Sequence, residues 1–160
     1  MPQDVAIVVE LLDRYEHGPT LLRGTLEGMD IDALRARPIP GKMSSLEVAC
    51  HIVDSDQFMC DRMKRTIATE RPLLMGVESA DYPGPLSYHE RDLSLDLTLL
   101  DAQRQQMARD LRRLPAEAWA RTAVHSEAGT VSLVDLLKHA TSHLEDHALT
   151  IADKRAALGL

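Results

Sequence analysis

Aromatic side chains and excess positive charge are both scarce in this chain of 160 residues. One tryptophan, three tyrosines and one phenylalanine offer no stacking platform for single-stranded nucleic acid. Acidic residues outnumber basic ones by 25 to 18, and the formal net charge is −7 at pH 7. The one dense basic stretch, residues 104–113, has helical spacing and is predicted to be a solvated helix face. Because binding to phosphate backbones requires a basic surface, we expect no nucleic-acid partner.

Long apolar runs are also missing. No stretch approaches the roughly 20 apolar residues that cross a bilayer, so no membrane partner is expected. The N-terminal segment carries two acidic residues among its first ten and lacks the basic start of a secretory signal. These features predict a cytoplasmic protein with a single domain over residues 1–160, since a chain of this length can bury one sizeable core.

Cysteine is rare, with only Cys50 and Cys60 in the sequence. Both fall in one predicted helix, where ten residues span about 15 Å, too far for a disulfide bond. Neither is part of a CxxC motif. We predict two buried thiols that pack as small apolar side chains, and the role of Cys50 beside His51 stays open.

Four segments have the apolar spacing of amphipathic helices. The predicted helices cover about residues 4–28, 44–70, 94–114 and 132–151. No segment alternates with a period of two for more than a few residues, so no strand is predicted. Amphipathic helices bury their apolar faces against one another. The pattern therefore predicts an all-α, antiparallel four-helix bundle with a long crossover loop at 73–93.

Local signals predict where the helices begin and where one of them breaks. Ser44 and Glu47 form a capping box at the start of the second helix, and Ser132 opens the fourth helix in a similar way. Proline lacks the backbone N–H donor and clashes with the preceding turn. The pair Gly18 and Pro19 is therefore expected to kink or split the first helix.

Histidines dominate the candidate functional residues. His139, His143 and His147 follow one another at spacings of four, which places neighbours on one helix face where two imidazoles can bind the same metal ion. Measured from the apolar stripe at Leu133 and Ile151, His147 lies about 40° away, His143 about 80° and His139 about 120°. The pair His143 and His147 is therefore predicted to face the interior, with His139 at its edge.

A third ligand would have to come from another helix, and His51 is the only histidine on the second one. It shares a flank with Val48 and Ile52, but the helix pattern alone does not decide whether it faces the interior. An isolated histidine is more often a surface group, and surface pairs at spacing four are ordinary. The remaining histidines fall in or beside predicted loops and are predicted to be solvated: His17, His89 and His125.

Two segments resemble the DinB/YfiT-like superfamily. Residues 41–56, GKMSSLEVACHIVDSD, are similar to the family's second-helix signature, in which a polar turn leads into a helix with one metal-binding histidine. Residues 129–139, GTVSLVDLLKH, together with the histidines that follow, are similar to the family's last helix. The resemblance implies a four-helix bundle of the DinB/YfiT-like type, with His51, His143 and His147 as metal ligands.

A site of this kind implies one divalent transition metal, with zinc or nickel preferred and iron as a further option. Three imidazoles leave a coordination position open, where the pKa of a bound water or thiol is lowered. Five residues could orient the ligand rings or relay protons: Glu47, Asp54, Glu145, Asp146 and His139. The chain has no ExxH pair for a di-iron site, no HExxH motif and no phosphate-binding glycine loop.

The resemblance implies a metal-dependent enzyme that acts on a small molecule, either a thiol S-transferase that uses a low-molecular-weight thiol or a small-molecule hydrolase. A non-catalytic metal-binding or small-ligand-binding protein, for instance in stress response, stays open as the alternative. So does an interaction module with incidental histidines. Members of this family often form homodimers through faces of the bundle, so the resemblance implies a homodimer. Neither the residues nor the resemblance assigns a catalytic role to any side chain.

Overall fold

The computed structural model describes the backbone of residues 2–160 and the side chains of residues 7–160. In chain order the elements are α1 (Pro2–Leu26), α2 (Ile31–Arg35), α3 (Ser45–Ala68), β1 (Leu73–Leu74), α4 (Leu93–Arg112), β2 (Thr122–His125), β3 (Gly129–Ser132) and α5 (Leu133–Leu158). Short 3₁₀ turns lie at Ser79–Asp81, Tyr88–Glu90 and Ala116–Ala120.

The long helices α1, α3, α4 and α5 form the predicted bundle, in which α1 and α3 each pack against both α4 and α5. Buried apolar side chains form two groups, one around Leu12, Met63 and Leu137 and the other around Leu22 and Leu144. The connection between α3 and α4 is the predicted long crossover. This confirms the fold class. None of the described helices is long and apolar enough to span a membrane.

Capping boxes begin both helices that carry the candidate ligands. The Glu47 N–H donates to Ser44 Oγ at 3.1 Å, and the Ser44 N–H donates to the Glu47 carboxylate at 2.7 Å. Ser132 and Asp135 make the same pair of bonds at the start of α5. A capping side chain contributes typically about 1 kcal/mol. Short-range sequence signals therefore set where both helices start, and with them the position of each histidine along its helix.

A small sheet stands where no strand was expected. β2 pairs with β3 as an antiparallel hairpin, and β1 runs parallel to β2. The strands have two to four residues, too few for a period-two pattern to be recognised in the sequence. The prediction of a chain without strands is therefore wrong for these short segments. The sheet lies beside the start of α5, which follows directly from β3.

The first helix continues through Pro19 and is not split at the Gly18–Pro19 pair. Pro19 has no N–H to donate to the Tyr15 carbonyl, its partner in a regular helix. Arg104 on α4 takes this place, because its Nη1 donates to the Tyr15 carbonyl at 3.0 Å. Gly18 leaves the necessary room, since a Cβ at this position would lie 2.3 Å from Arg104 Nη1. The pair that was expected to kink or split the helix thus leaves space and a free carbonyl for Arg104 of α4.

Arg104 joins the four long helices through one guanidinium group. It is only 1% exposed, so its predicted place on a solvated face is wrong. Its Nε and Nη2 donate to Asp56 on α3 at 2.9 and 2.7 Å, and Nη2 also donates to the Ala140 carbonyl on α5 at 2.8 Å. The group lies 4.3 Å from the centroid of the Tyr15 ring on α1. These partners offset the high cost of burying its charge.

We expect Gly18→Ala to destabilise the protein, although the same change inside a helix normally stabilises by about 0.5–1 kcal/mol. The new methyl group would displace the Arg104 guanidinium, so the free energy of unfolding should fall by roughly 1–3 kcal/mol. Gly24→Ala is the matched control in the same helix, because a Cβ there meets nothing within 4 Å. Urea denaturation followed by circular dichroism measures both changes. Stabilisation by Gly18→Ala would contradict the close contact with Arg104.

Candidate metal centre

The three predicted ligands meet between α3 and α5. His51 lies on α3, while His143 and His147 lie on successive turns of α5. One nitrogen atom from each ring lies within 4.8 Å of the others. The ring centroids are 4.5 to 5.2 Å apart. The structure therefore brings together the three histidines that helix periodicity and family resemblance selected.

The closest approach joins two nitrogens from different helices. His51 Nε2 and His143 Nε2 are 3.3 Å apart. Two ligands on one tetrahedral ion, each about 2.1 Å from it, are separated by about 3.4 Å, so this pair fits a shared ion. His51 Nδ1 is buried and has no hydrogen-bond partner among the described residues. An unsatisfied group of this kind costs about 1–3 kcal/mol, so no hydrogen bond of Nδ1 stabilises the position of His51.

Burial keeps the imidazoles of this site neutral. It is the main cause that lowers the pKa of His51, of His143 to about 3 and of His147 to about 4, and neighbouring histidines lower the last two further. Neutral imidazole is the form that binds a metal, so near pH 7 no proton has to be displaced. His143 and His147 remain partly exposed, which leaves the group open to a small molecule. The arrangement suits a divalent metal.

His139 lies near the three converging histidines but is not one of them. It is exposed, as its predicted position at the edge of the helix face implied. Its ring centroid is 5.9 Å from that of His143, and it is not one of the three converging residues. His139 is therefore a neighbour of the site that an incoming molecule can contact.

Three of the carboxylates that could have oriented the ligand rings form ion pairs with arginines instead: Glu47 with Arg37, Asp54 with Arg91, and Glu145 with Arg14. Asp146 is exposed, and its charge acts in the direction of raising the pKa of His147. The ligand rings thus depend on helix packing for their orientation more than on these carboxylates.

Cys50 does not join the three histidines. Its thiol is buried and donates to the Tyr88 carbonyl, with a sulfur–oxygen distance of 3.6 Å. Burial raises the pKa of this thiol, which disfavours the thiolate form that binds metals. Cys60 is also buried and unbridged, as predicted.

The remaining histidines divide into two kinds. His17 and His89 are exposed as predicted, and His17 lies within α1 beside the Gly18–Pro19 pair. His125 differs from the prediction of a solvated loop residue, because it lies on β2 and is half-buried. Its Nδ1 accepts the N–H groups of Glu127 and Ala128 at 3.2 and 3.3 Å. The sequence did not indicate this position of His125, because a strand of four residues is too short to show a period-two pattern.

The chain is similar in sequence and in fold to known proteins. A family model described as the DinB superfamily matches residues 14–151. A protein of Oceanobacillus iheyensis, provisionally named a metal-dependent hydrolase, is 24% identical over 127 residues, which cover 79% of this chain and 73% of that protein. YfiT from Bacillus subtilis aligns with a TM-score of 0.89 and 20% identity over 95% of this chain and 87% of its own. It is described as a probable metal-dependent hydrolase with an unusual four-helix bundle topology.

A mycothiol-dependent maleylpyruvate isomerase shares the fold over part of its length. Its crystal structure aligns with a TM-score of 0.70 and 14% identity over 89% of this chain and 59% of that chain. The similarity therefore leaves about two fifths of the isomerase without a counterpart here. At these identities the two solved structures show the common fold and not a common substrate.

Proposed function

The chain belongs to the DinB superfamily, and from this premise we propose that it is a metal-dependent enzyme that hydrolyses a small molecule. The proposed ligands of one divalent metal are His51, His143 and His147. The observation that carries the proposal is the meeting of three neutral, partly accessible imidazoles at one point between two helices. The two relatives described as metal-dependent hydrolases support the same reaction class.

The residues of this site suit a metal with one position left for a substrate. No thiol or carboxylate from the described part of the chain joins the three nitrogens, which favours an open site over a closed structural one with four protein ligands. When bound, the metal supplies a Lewis acid that lowers the pKa of a water or thiol at its open position. We propose zinc or nickel for three imidazole donors, with iron as an alternative.

A thiol-dependent transfer is the second candidate. It is favoured by the fold shared with the mycothiol-dependent isomerase and by the partial exposure of His143 and His147. In this case the chain's three imidazoles would hold the metal in the same way. The two candidates differ in the molecule that occupies the open position and in the second substrate.

A paired activity screen tests the proposal. Untagged protein, stripped of metal and then reloaded with zinc or nickel, is assayed on a panel of chromogenic esters, amides and lactones. The same preparations are assayed with bacterial thiols and 1-chloro-2,4-dinitrobenzene. We expect metal-dependent turnover in the first panel that falls about 100-fold or more in His51→Ala, since removal of a ligand should exceed the 10–100-fold cost of removing a residue that only orients one.

The alternatives give distinct results in this screen. Turnover only with a thiol and the electrophile would favour the transferase. Bound metal without turnover in either panel would favour a binding protein. Turnover that is unchanged in the metal-stripped protein would contradict the proposed mechanism.

A further inference from the structure

A cavity of about 400 Å³ lies between α3, α5 and the small sheet. His139 forms part of its wall, and the ring of this residue is 5.9 Å from the His143 ring. His125 and Ala128 of the β2–β3 hairpin form another wall. A single turn of α5 therefore separates the cavity from the candidate metal centre.

Arg62 on α3 gives the cavity a cationic side chain. It is half-buried, and its Nη2 donates to the Met75 carbonyl at 2.7 Å. Among the described residues no carboxylate lies within ion-pair distance of it, and the adjacent Asp61 pairs with Arg65 instead. A half-buried guanidinium without a paired carboxylate keeps several N–H donors for an anion.

A second donor comes from the hairpin. Because His125 Nδ1 accepts two backbone N–H groups, the proton of the neutral ring lies on Nε2. This ring also lines the cavity. The wall therefore offers the guanidinium of Arg62 on α3 and the Nε2–H of His125 on β2 as donors.

Two carboxylates share the cavity wall, but neither is paired with Arg62. Asp135 accepts the N–H and the hydroxyl of Ser132 in the capping box of α5. Glu127 is exposed, and its carboxylate lies over Gly76, where an added Cβ would stand 2.3 Å from Oε1. Neither carboxylate lies within ion-pair distance of the guanidinium, although the charge of the exposed Glu127 acts in the direction of raising the pKa of Arg62. The N–H donors of Arg62 that do not bind Met75 stay available to a ligand.

The rest of the wall is largely apolar, with four side chains that suit a methylene chain: Met59, Val77, Val131 and Leu136. We propose that this cavity is a substrate subsite that binds the carboxylate end of an elongated molecule through Arg62, while the other end of the molecule reaches the metal centre. The inference rests on the proposed function, because it assigns the second part of the same substrate site.

Hexanoate and 1-hexanol test the subsite, since they share a chain length and differ in charge. Full-length, untagged, ¹⁵N-labelled protein is titrated with each probe, both zinc-loaded and metal-free, and the amide signals of Glu127 and Ala128 report on the cavity. We expect hexanoate to shift these signals with an affinity about tenfold or more above that of hexanol. Arg62→Met should remove this preference. Arg65→Met, one turn away and not in the cavity wall, should retain it.

A second variant tests the subsite independently in case Arg62→Met does not fold. Ala128→Glu adds a negative charge to the exposed hairpin turn and should weaken hexanoate while leaving hexanol unchanged. Equal affinities for the two probes, or a preference for hexanoate that survives Arg62→Met, would overturn the subsite. Binding of 6-mercaptohexanoate to the zinc-loaded protein no tighter than hexanoate would overturn its link to the metal centre. The hairpin signals report the subsite even in metal-free protein, so its failure is distinguishable from a failure to bind metal.

Discussion

Replacement of His147 by alanine is expected to remove most of the bound divalent metal. His147 supplies one of the three converging nitrogens, and no other described side chain is placed to substitute for it. Because residues that merely orient a ligand cost 10–100-fold in metal affinity, the loss of a ligand should cost roughly 100-fold or more. Competition titration with a zinc-sensitive dye measures the affinity, and elemental analysis measures the metal that remains after purification.

His139→Ala is the matched control for this change. It removes the same ring from the same helix, two turns earlier, and its ring is exposed and outside the converging group. We expect its metal affinity to stay within about threefold of the wild type, since only a neighbouring ring is lost. Equal losses of metal affinity from both variants would mean that His143 and His147 are not the metal-binding pair of α5.

Asp56→Ala is expected to have the largest effect on stability. The change leaves the buried Arg104 guanidinium without its counter-charge, and removing one partner of a buried ion pair costs about 3–5 kcal/mol. That is a large part of the 5–15 kcal/mol by which domains are typically stable. Urea denaturation of metal-free protein gives the free energy of unfolding without a contribution from metal binding.

Two further variants distinguish the loss of the buried Asp56–Arg104 ion pair from a general loss of stability on removing any charge. Asp61→Ala removes the partner of Arg65 in an exposed pair on the same helix and should cost less than about 1 kcal/mol. The double change of Asp56 to leucine and Arg104 to methionine should recover much of the lost stability, since a buried pair is often replaceable by apolar residues. If Asp56→Ala lowers the free energy of unfolding as little as Asp61→Ala does, Arg104 does not stabilise the bundle by joining its helices.

The parts of this structure that were predictable depend on neighbours in the sequence. The capping boxes at Ser44 and Ser132 identify the start of α3 and of α5 within a residue. Helix periodicity then selects His143 and His147 over His139, because a rotation of 100° per residue is a property of the helix itself. His51 needed the family resemblance, since its position relative to the apolar stripe was ambiguous.

The parts that were not predictable depend on contacts between distant residues. Pro19 predicts that the Tyr15 carbonyl lacks its helical hydrogen-bond donor. No neighbouring residue indicates that Arg104, which is 89 residues from Tyr15, supplies the missing donor. The same limit applies to β1, in which Leu73 pairs with Val124 far along the chain. The β2–β3 hairpin is local, but its strands of four residues are too short for a period-two pattern to be recognised. The sequence likewise gives no signal for Arg62, because its cavity forms only when the hairpin packs beside α3 and α5.

Metal content and ligation of the native protein show directly whether the three histidines bind one ion. Full-length, untagged protein purified without chelators is analysed for metals and then by X-ray absorption at the edge of the metal found. We expect one divalent ion per chain with three imidazole nitrogens in its coordination shell, and loss of that signal in His51→Ala. Protein that holds no ion and takes up none from zinc or nickel solutions, or an ion that is retained unchanged in His51→Ala, would contradict it.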